Sequence, residues 1–260
     1  MQLLGFALAL LTSVPMLSEQ GAPARRAGGW VSLGSFLSAN DGTSATTWAP
    51  TTSAALNSGE VGVCVIAKDE TGVGTTDGTG NAQYTSITDT ASNTWVEQIE
   101  WCNMQTTAAA NGACVAIYTT TATANLASGQ ALTATFSAAT ARKAGVCWRF
   151  SRDGTVSLAA GSGGLANDAA DPGSLTDATT VEREHLFVRG TACESNTGTY
   201  IPDTDFAPFD LSGAVSNSGT AATSMEAAAE WLVANEATSA ASDPTWVAAD
   251  CASAIVALDE

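Results

Sequence analysis

The chain has 260 residues, with 26 Asp and Glu against nine Lys and Arg, a formal net charge of −17 and a single histidine, His185. So large an excess of carboxylates excludes unaided binding to nucleic acid or to an anionic membrane, because both are themselves negative. One histidine excludes histidine-rich metal sites and any catalytic pair of histidines.

Hydrophobic residues make up 45% of the chain and charged residues only 13%. That is enough apolar material for a core, with Thr, Ser, Asn and Gly supplying the polar surface. Abundant Ala and Thr, with 24 Gly, favour thin and closely spaced layers over bulky helices.

Residues 1–17 (MQLLGFALALLTSVPML) hold an apolar stretch of about ten residues, shorter than a bilayer span requires. No Lys or Arg precedes Arg25, so the basic start of a secretion signal is missing. With the linker GAPARRAGG that follows, residues 1–30 read as an apolar arm that docks on another subunit. A single domain is expected over 31–260.

From Ser44 onward, short β-prone runs alternate with clusters of Gly, Asn, Asp, Ser and Pro, the pattern of an all-β protein. The runs are 60–68 (EVGVCVIAK), 94–101 (TWVEQIEW), 113–121 (ACVAIYTTT), 130–137 (QALTATFS), 144–151 (AGVCWRFS), 184–190 (EHLFVRG) and 252–258 (ASAIVAL). In 130–137, Leu132, Ala134 and Phe136 share one face, while Thr133, Thr135 and Ser137 share a wet one. Residues 61–67 are apolar on both faces, as expected of a central strand covered on each side. Two long connections, 69–84 and 152–180, read as surface loops. Residues 225–236 (MEAAAEWLVANE) are ambiguous, helical by propensity and strand-like at Trp231, Leu232 and Val233. No internal repeat of fixed period is present.

The six cysteines have no CxxC or CxH spacing, which argues against zinc. Cys64 and Cys147 sit in apolar runs and read as free, buried thiols acting as small hydrophobes. Cys102 and Cys114 flank a polar connection and are the pair to test for a disulfide closing a hairpin. Cys193 and Cys251 have no assigned partner.

Candidate chemistry is sparse. Glycine-rich 72–80 lacks the Gly-Lys-Ser/Thr ending of a phosphate loop. Acidic clusters at Asp69, Glu70 and Asp77, at Asp168 and Asp171, and at Asp203, Asp205 and Asp210 lack calcium-loop spacing. Glu97 and Glu100 share a run with Trp95 and Trp101 and are expected to face solvent rather than act as a glycosidase pair. His185 reads as structural, since its neighbour Glu184 points to the opposite strand face. No catalytic, metal or cofactor-binding residue is assigned, and no cofactor is expected.

The stretch 87–95 (ITDTASNTW) is the most specific feature. A strand ends at Asp89, Asp and Asn side chains support a tight turn, and a new strand carries Trp95 into the core, a structural hairpin built on Asp89, Asn93 and Trp95. An aromatic-rich strand, AIY and then LTATFS follow, and the chain closes on Pro244-Thr245-Trp246 before AIVAL. Together these resemble a jelly-roll-like β-sandwich domain of tailed-bacteriophage virion proteins, with its V-x-D-[ST]-x-G-N-T-W hairpin, its G-x-x-[LV]-T-V-T-F strand and a P-T-W closing turn at Trp246. Ser92 stands where that pattern has Gly. By this resemblance, 225–234 becomes the penultimate strand.

The expectation is therefore an all-β, jelly-roll-like antiparallel β-sandwich with an N-terminal arm, acting as a non-enzymatic virion component of the head-decoration, spike or fibre-base type. It would be assembled in the host cytoplasm, be homo-oligomeric, and contact other capsid or tail proteins through residues 1–30, with no nucleic acid and no membrane insertion. The rival expectation is a carbohydrate-binding module that stacks a host-surface glycan on exposed Trp or Tyr.

Overall fold

The run without a polar face organises the molecule. In the computed structural model it is β3 (Glu60–Glu70), the middle strand of a five-stranded antiparallel sheet. Residues 29–70, 82–103, 112–152, 156–166, 173–194, 200–209, 214–216, 224–246 and 251–259 are described. Its neighbours give the order β1 (Val31–Asp41), β8 (Lys143–Ser151), β3, β6 (Gly112–Thr121) and β5 (Val96–Asn103). Side chains alternate across a strand, so Val61, Val63, Val65 and Ala67 enter one core while Cys64 and Ile66 enter another.

Each core is closed by a further sheet. On the Cys64 side lies a three-stranded sheet of β2 (Ala45–Trp48), β7 (Leu132–Thr140) and β4 (Tyr84–Asp89). Leu132, Ala134 and Phe136 of β7 face inward, as their alternation predicts. On the Val63 side lies a sheet of β12 (Ala207–Pro208), β14 (Glu226–Ser242), β10 (Leu175–Cys193), β16 (Cys251–Asp259) and β9 (Ser157–Ala166), with β13 (Ala214–Ser216) also on β14. A small sheet of β11 (Tyr200–Ile201) and β15 (Thr245–Trp246) completes the set. The class is all-β and antiparallel, as expected, and it is stacked three sheets deep. Small residues allow that close stacking: a Cβ on Gly190 of β10 would stand 2.7 Å from Val65 Cγ1 in the facing sheet, closer than carbon atoms pack.

Several expectations are corrected. The segment 152–180, read as a loop, contains β9 and the start of β10. The sequence of β9, SLAAGSGGLA, has little strand propensity, and it is a strand because it pairs with β16 from Ser157↔Asp259 to Ala166↔Cys251. One strand, β1, precedes Ser44, where the β pattern was expected to begin. The ambiguous segment is strand β14, a strand as the resemblance implied, but the short β15 separates it from the last strand, β16. Trp30, assigned to the arm, is buried in the main core, edge-on to Phe150 at 6.0 Å and under the Arg152 guanidinium at 4.8 Å. Residues 1–28 of the arm lie outside the described residues, as do 71–81 and the acidic residues Asp77, Asp168, Asp171 and Asp210.

All six cysteines are paired. Cys64–Cys147, Cys102–Cys114 and Cys193–Cys251 each join residues directly opposite one another on neighbouring strands, with Cα atoms 4.1 Å apart. The reading of Cys64 and Cys147 as free thiols is therefore overturned. Their apolar runs do bury them, but as register partners on β3 and β8.

Candidate functional site

The motif 87–95 forms an arch rather than a hairpin. β4 pairs with β7 in one sheet and β5 pairs with β6 in another, so the chain crosses between layers at this turn. Asp89 holds it together. Its Oδ1 accepts from the backbone N–H groups of Ala91 (2.9 Å) and Asn93 (3.1 Å), and its Oδ2 from Asn93 Nδ2 (3.0 Å) and Trp95 Nε1 (2.9 Å). Asn93 then ties the arch to the next connection, its Oδ1 accepting from the N–H groups of Thr123 (2.8 Å) and Ala124 (2.9 Å). Ser92 has φ 61°, the left-handed region where glycine is the unstrained choice. The Trp95 ring fills the space over Gly62, where a Cβ would lie 2.9 Å from Cη2. These three residues converge on one another, and their polar atoms are spent on the fold.

Trp246 sits elsewhere, in a small cluster with Tyr200, Ala228 and the Cys193–Cys251 disulfide. It is edge-on to Tyr200 at 5.1 Å and donates its Nε1–H to Glu226 Oε2 at 3.1 Å. Beside it, on the outer face of β10, Arg189 stands directly opposite Glu230 of β14, and both are fully buried. Arg189 donates to Ser242 O (2.6 Å) and Gly173 O (2.7 Å), and Glu230 Oε2 accepts the N–H of Asp203 at 2.9 Å. The Ser242 hydroxyl also donates to Glu230. Burial raises the Glu230 carboxyl above its ordinary value, and burial together with the Glu230 charge holds the Tyr200 phenol well above its own. This charged network fastens the 200–209 and 242–246 segments over the sheet.

The two carboxylates of β5 do not both face solvent. A bulge between Glu97 and Ile99 changes the spacing. Glu100 is buried, accepting from the N–H groups of Gln83 (3.0 Å) and Tyr84 (3.1 Å). Glu97 is exposed and accepts a hydrogen bond from the Tyr118 hydroxyl.

A polar pocket of about 240 Å³ lies at the opposite end of β10 from the Cys193–Cys251 disulfide, between the ends of β9 and β16. Ser157, Leu158, Ala159, Thr179, Arg183, His185 and Asp259 line it. Two register breaks in β10, one between Ala178 and Arg183 and one between Arg183 and His185, place these side chains; bulges re-aim residues in this way. Asp259 accepts from Ser157 Oγ at 2.7 Å and forms an ion pair with Arg183 Nη2. His185 is buried and edge-on to Phe187 at 5.9 Å. Asp177 lies near His185, and its carboxyl is pushed up to about 6 by burial, against the pull of backbone N–H groups and His185.

Sequence reasoning singled out only His185 here, as structural. Ser157 and Thr179 fell in the supposed loop, and Arg183 and Asp259 meet only once β9, β10 and β16 pair. Among the described residues no group of three His, Cys, Asp or Glu is placed to hold a metal ion. No helix in them is long and apolar enough to cross a membrane. All seven Trp and three Tyr are described, and each is buried or half-buried, so the aromatic platform of the glycan expectation has no exposed ring.

Comparison of the chain with protein-family profiles, with curated proteins and with solved structures gives no match.

Proposed function

We propose that the chain is a non-enzymatic structural component of a bacteriophage virion, a head-decoration, spike or fibre-base protein held to the particle by its N-terminal arm. The observation that carries this reading is the covalent stapling of a thin, acidic, three-layered sandwich by three cross-strand disulfides. Disulfides persist in oxidising surroundings and on virion surfaces rather than in reducing cytoplasm. A chain assembled in the host and then displayed outward would acquire them after release. The net charge of −17 suits exposure to solvent, away from packaged nucleic acid. The resemblance in 87–95 and at 244–246 supports the same role, and copies arranged as a homo-oligomer fit a spike or decoration.

The test is particle composition. Mass spectrometry of purified, salt-washed particles is expected to recover the chain in fixed stoichiometry with a capsid or tail protein, with its cysteines oxidised. Recovery only from a soluble fraction, or from particles in variable trace amounts, overturns the proposal.

A further inference from the structure

We propose that the pocket between β9, β10 and β16 binds a single neutral sugar ring through adjacent hydroxyl groups. It offers hydrogen-bonding capacity of both signs within one small space. Ionised Asp259 has room for about four donors, and Ser157 and Arg183 supply two. A guanidinium has five N–H donors; one Arg183 amino nitrogen is engaged with Asp259, and the side chain keeps 40% of its surface exposed. The Thr179 hydroxyl and the His185 imidazole border the same space.

A ligand that only accepts, such as phosphate or a carboxylate, would leave Asp259 repelling it, and the net charge of −17 opposes its approach. A cation would meet Arg183. Adjacent hydroxyls donate to Asp259 and accept from Arg183 at once, and a neutral ring adds no charge to a site whose central pair is already balanced. The volume of about 240 Å³ matches one ring rather than a chain of them. The lining is predominantly polar, as recognition of hydroxyl groups requires. The binding element is thus a polar pocket where the sequence pointed to aromatic faces.

The experiment is titration of the oxidised full chain with free hexoses and with their methyl α- and β-glycosides, followed by NMR, with acetate and phosphate as comparison ligands. Saturable shifts with at least one hexose or glycoside, and none with either anion, are expected. Preference for the glycoside assigns the source to a glycan end; preference for the free hexose assigns it to a soluble sugar.

Arg183→Gln and Thr179→Val are expected to weaken binding about tenfold or more. Ser157→Trp, at an exposed position on the pocket mouth, fills the opening and removes the Ser157 donor to Asp259, and it carries the test if Arg183→Gln fails to fold. Absence of saturation by every sugar, saturation by the anions instead, or full affinity in folded Ser157→Trp overturns the proposal. Particle composition tests the virion reading separately, so the two stand or fall apart.

Discussion

Lys68 and Lys143, the only lysines in the chain, stand directly opposite each other on β3 and β8, and neither is more than 2% exposed. Lys143 donates to Thr43 O and to Thr140 O at 3.2 Å, and its Nζ lies 3.3 Å from Asp41 Oδ2. The surface therefore carries its few positive charges on arginine. An amine-reactive reagent is expected to leave both lysines unmodified in the native protein and to modify both after denaturation, as read by peptide mass spectrometry. Lys143→Met leaves the buried Thr140 carbonyl without this donor and Asp41 without its cation, and is expected to cost about 2 kcal/mol in denaturant unfolding.

The disulfides differ in the length of chain they close, 83 residues for Cys64–Cys147, 58 for Cys193–Cys251 and 12 for Cys102–Cys114. Loop-closure entropy assigns them about 4.5, 4 and 3 kcal/mol respectively. Replacing each pair by alanine and measuring unfolding free energy is expected to reproduce that order. Equal losses would mean that local packing, rather than the unfolded chain, sets the effect.

The arch makes two opposite predictions. Asp89→Ala removes the acceptor for four donors, including Trp95 Nε1, and is expected to destabilise by about 3 kcal/mol. Ser92→Gly relieves a left-handed backbone and is expected to stabilise by about 1 kcal/mol. Thermal unfolding of both variants checks the signs.

Asp177 sets a pH dependence. Its carboxyl is raised to about 6 in the folded protein from an ordinary 3.8, so over that interval the native state holds the proton more tightly than the unfolded chain. This contribution to stability is complete below about pH 4, falls as pH rises toward 6, and levels off above it, a loss of up to about 3 kcal/mol. In Asp177→Asn the decline between pH 4 and 6 is expected to flatten, as measured by denaturant unfolding at a series of pH values.

Much of the sheet content was legible. The run 61–67 announces a central strand because it is apolar on both faces, 113–121 and 252–258 read as strands by β-prone composition, and β7 announces a half-wet one by alternation. The Asp89, Asn93 and Trp95 group was also visible as a unit, because Asp and Asn act on backbone within a few residues of themselves. Its role as an arch was not, since the same turn serves a hairpin whenever the flanking strands pair. The pocket left no trace: Arg183 and Asp259 are 76 residues apart in the chain, and the register breaks in β10 that aim its residues have no sequence marker.

By itself the sequence determined the all-β class and the two-faced central strand, because side-chain period and apolar content are properties of local composition. Only the tertiary structure decided which cysteines are bonded, that SLAAGSGGLA is a strand, that the 87–95 turn joins two sheets, and that Ser157, Thr179, Arg183, His185 and Asp259 share a pocket. Those outcomes depend on register between distant strands, where backbone hydrogen bonds and shared burial select a pairing that neither strand specifies alone.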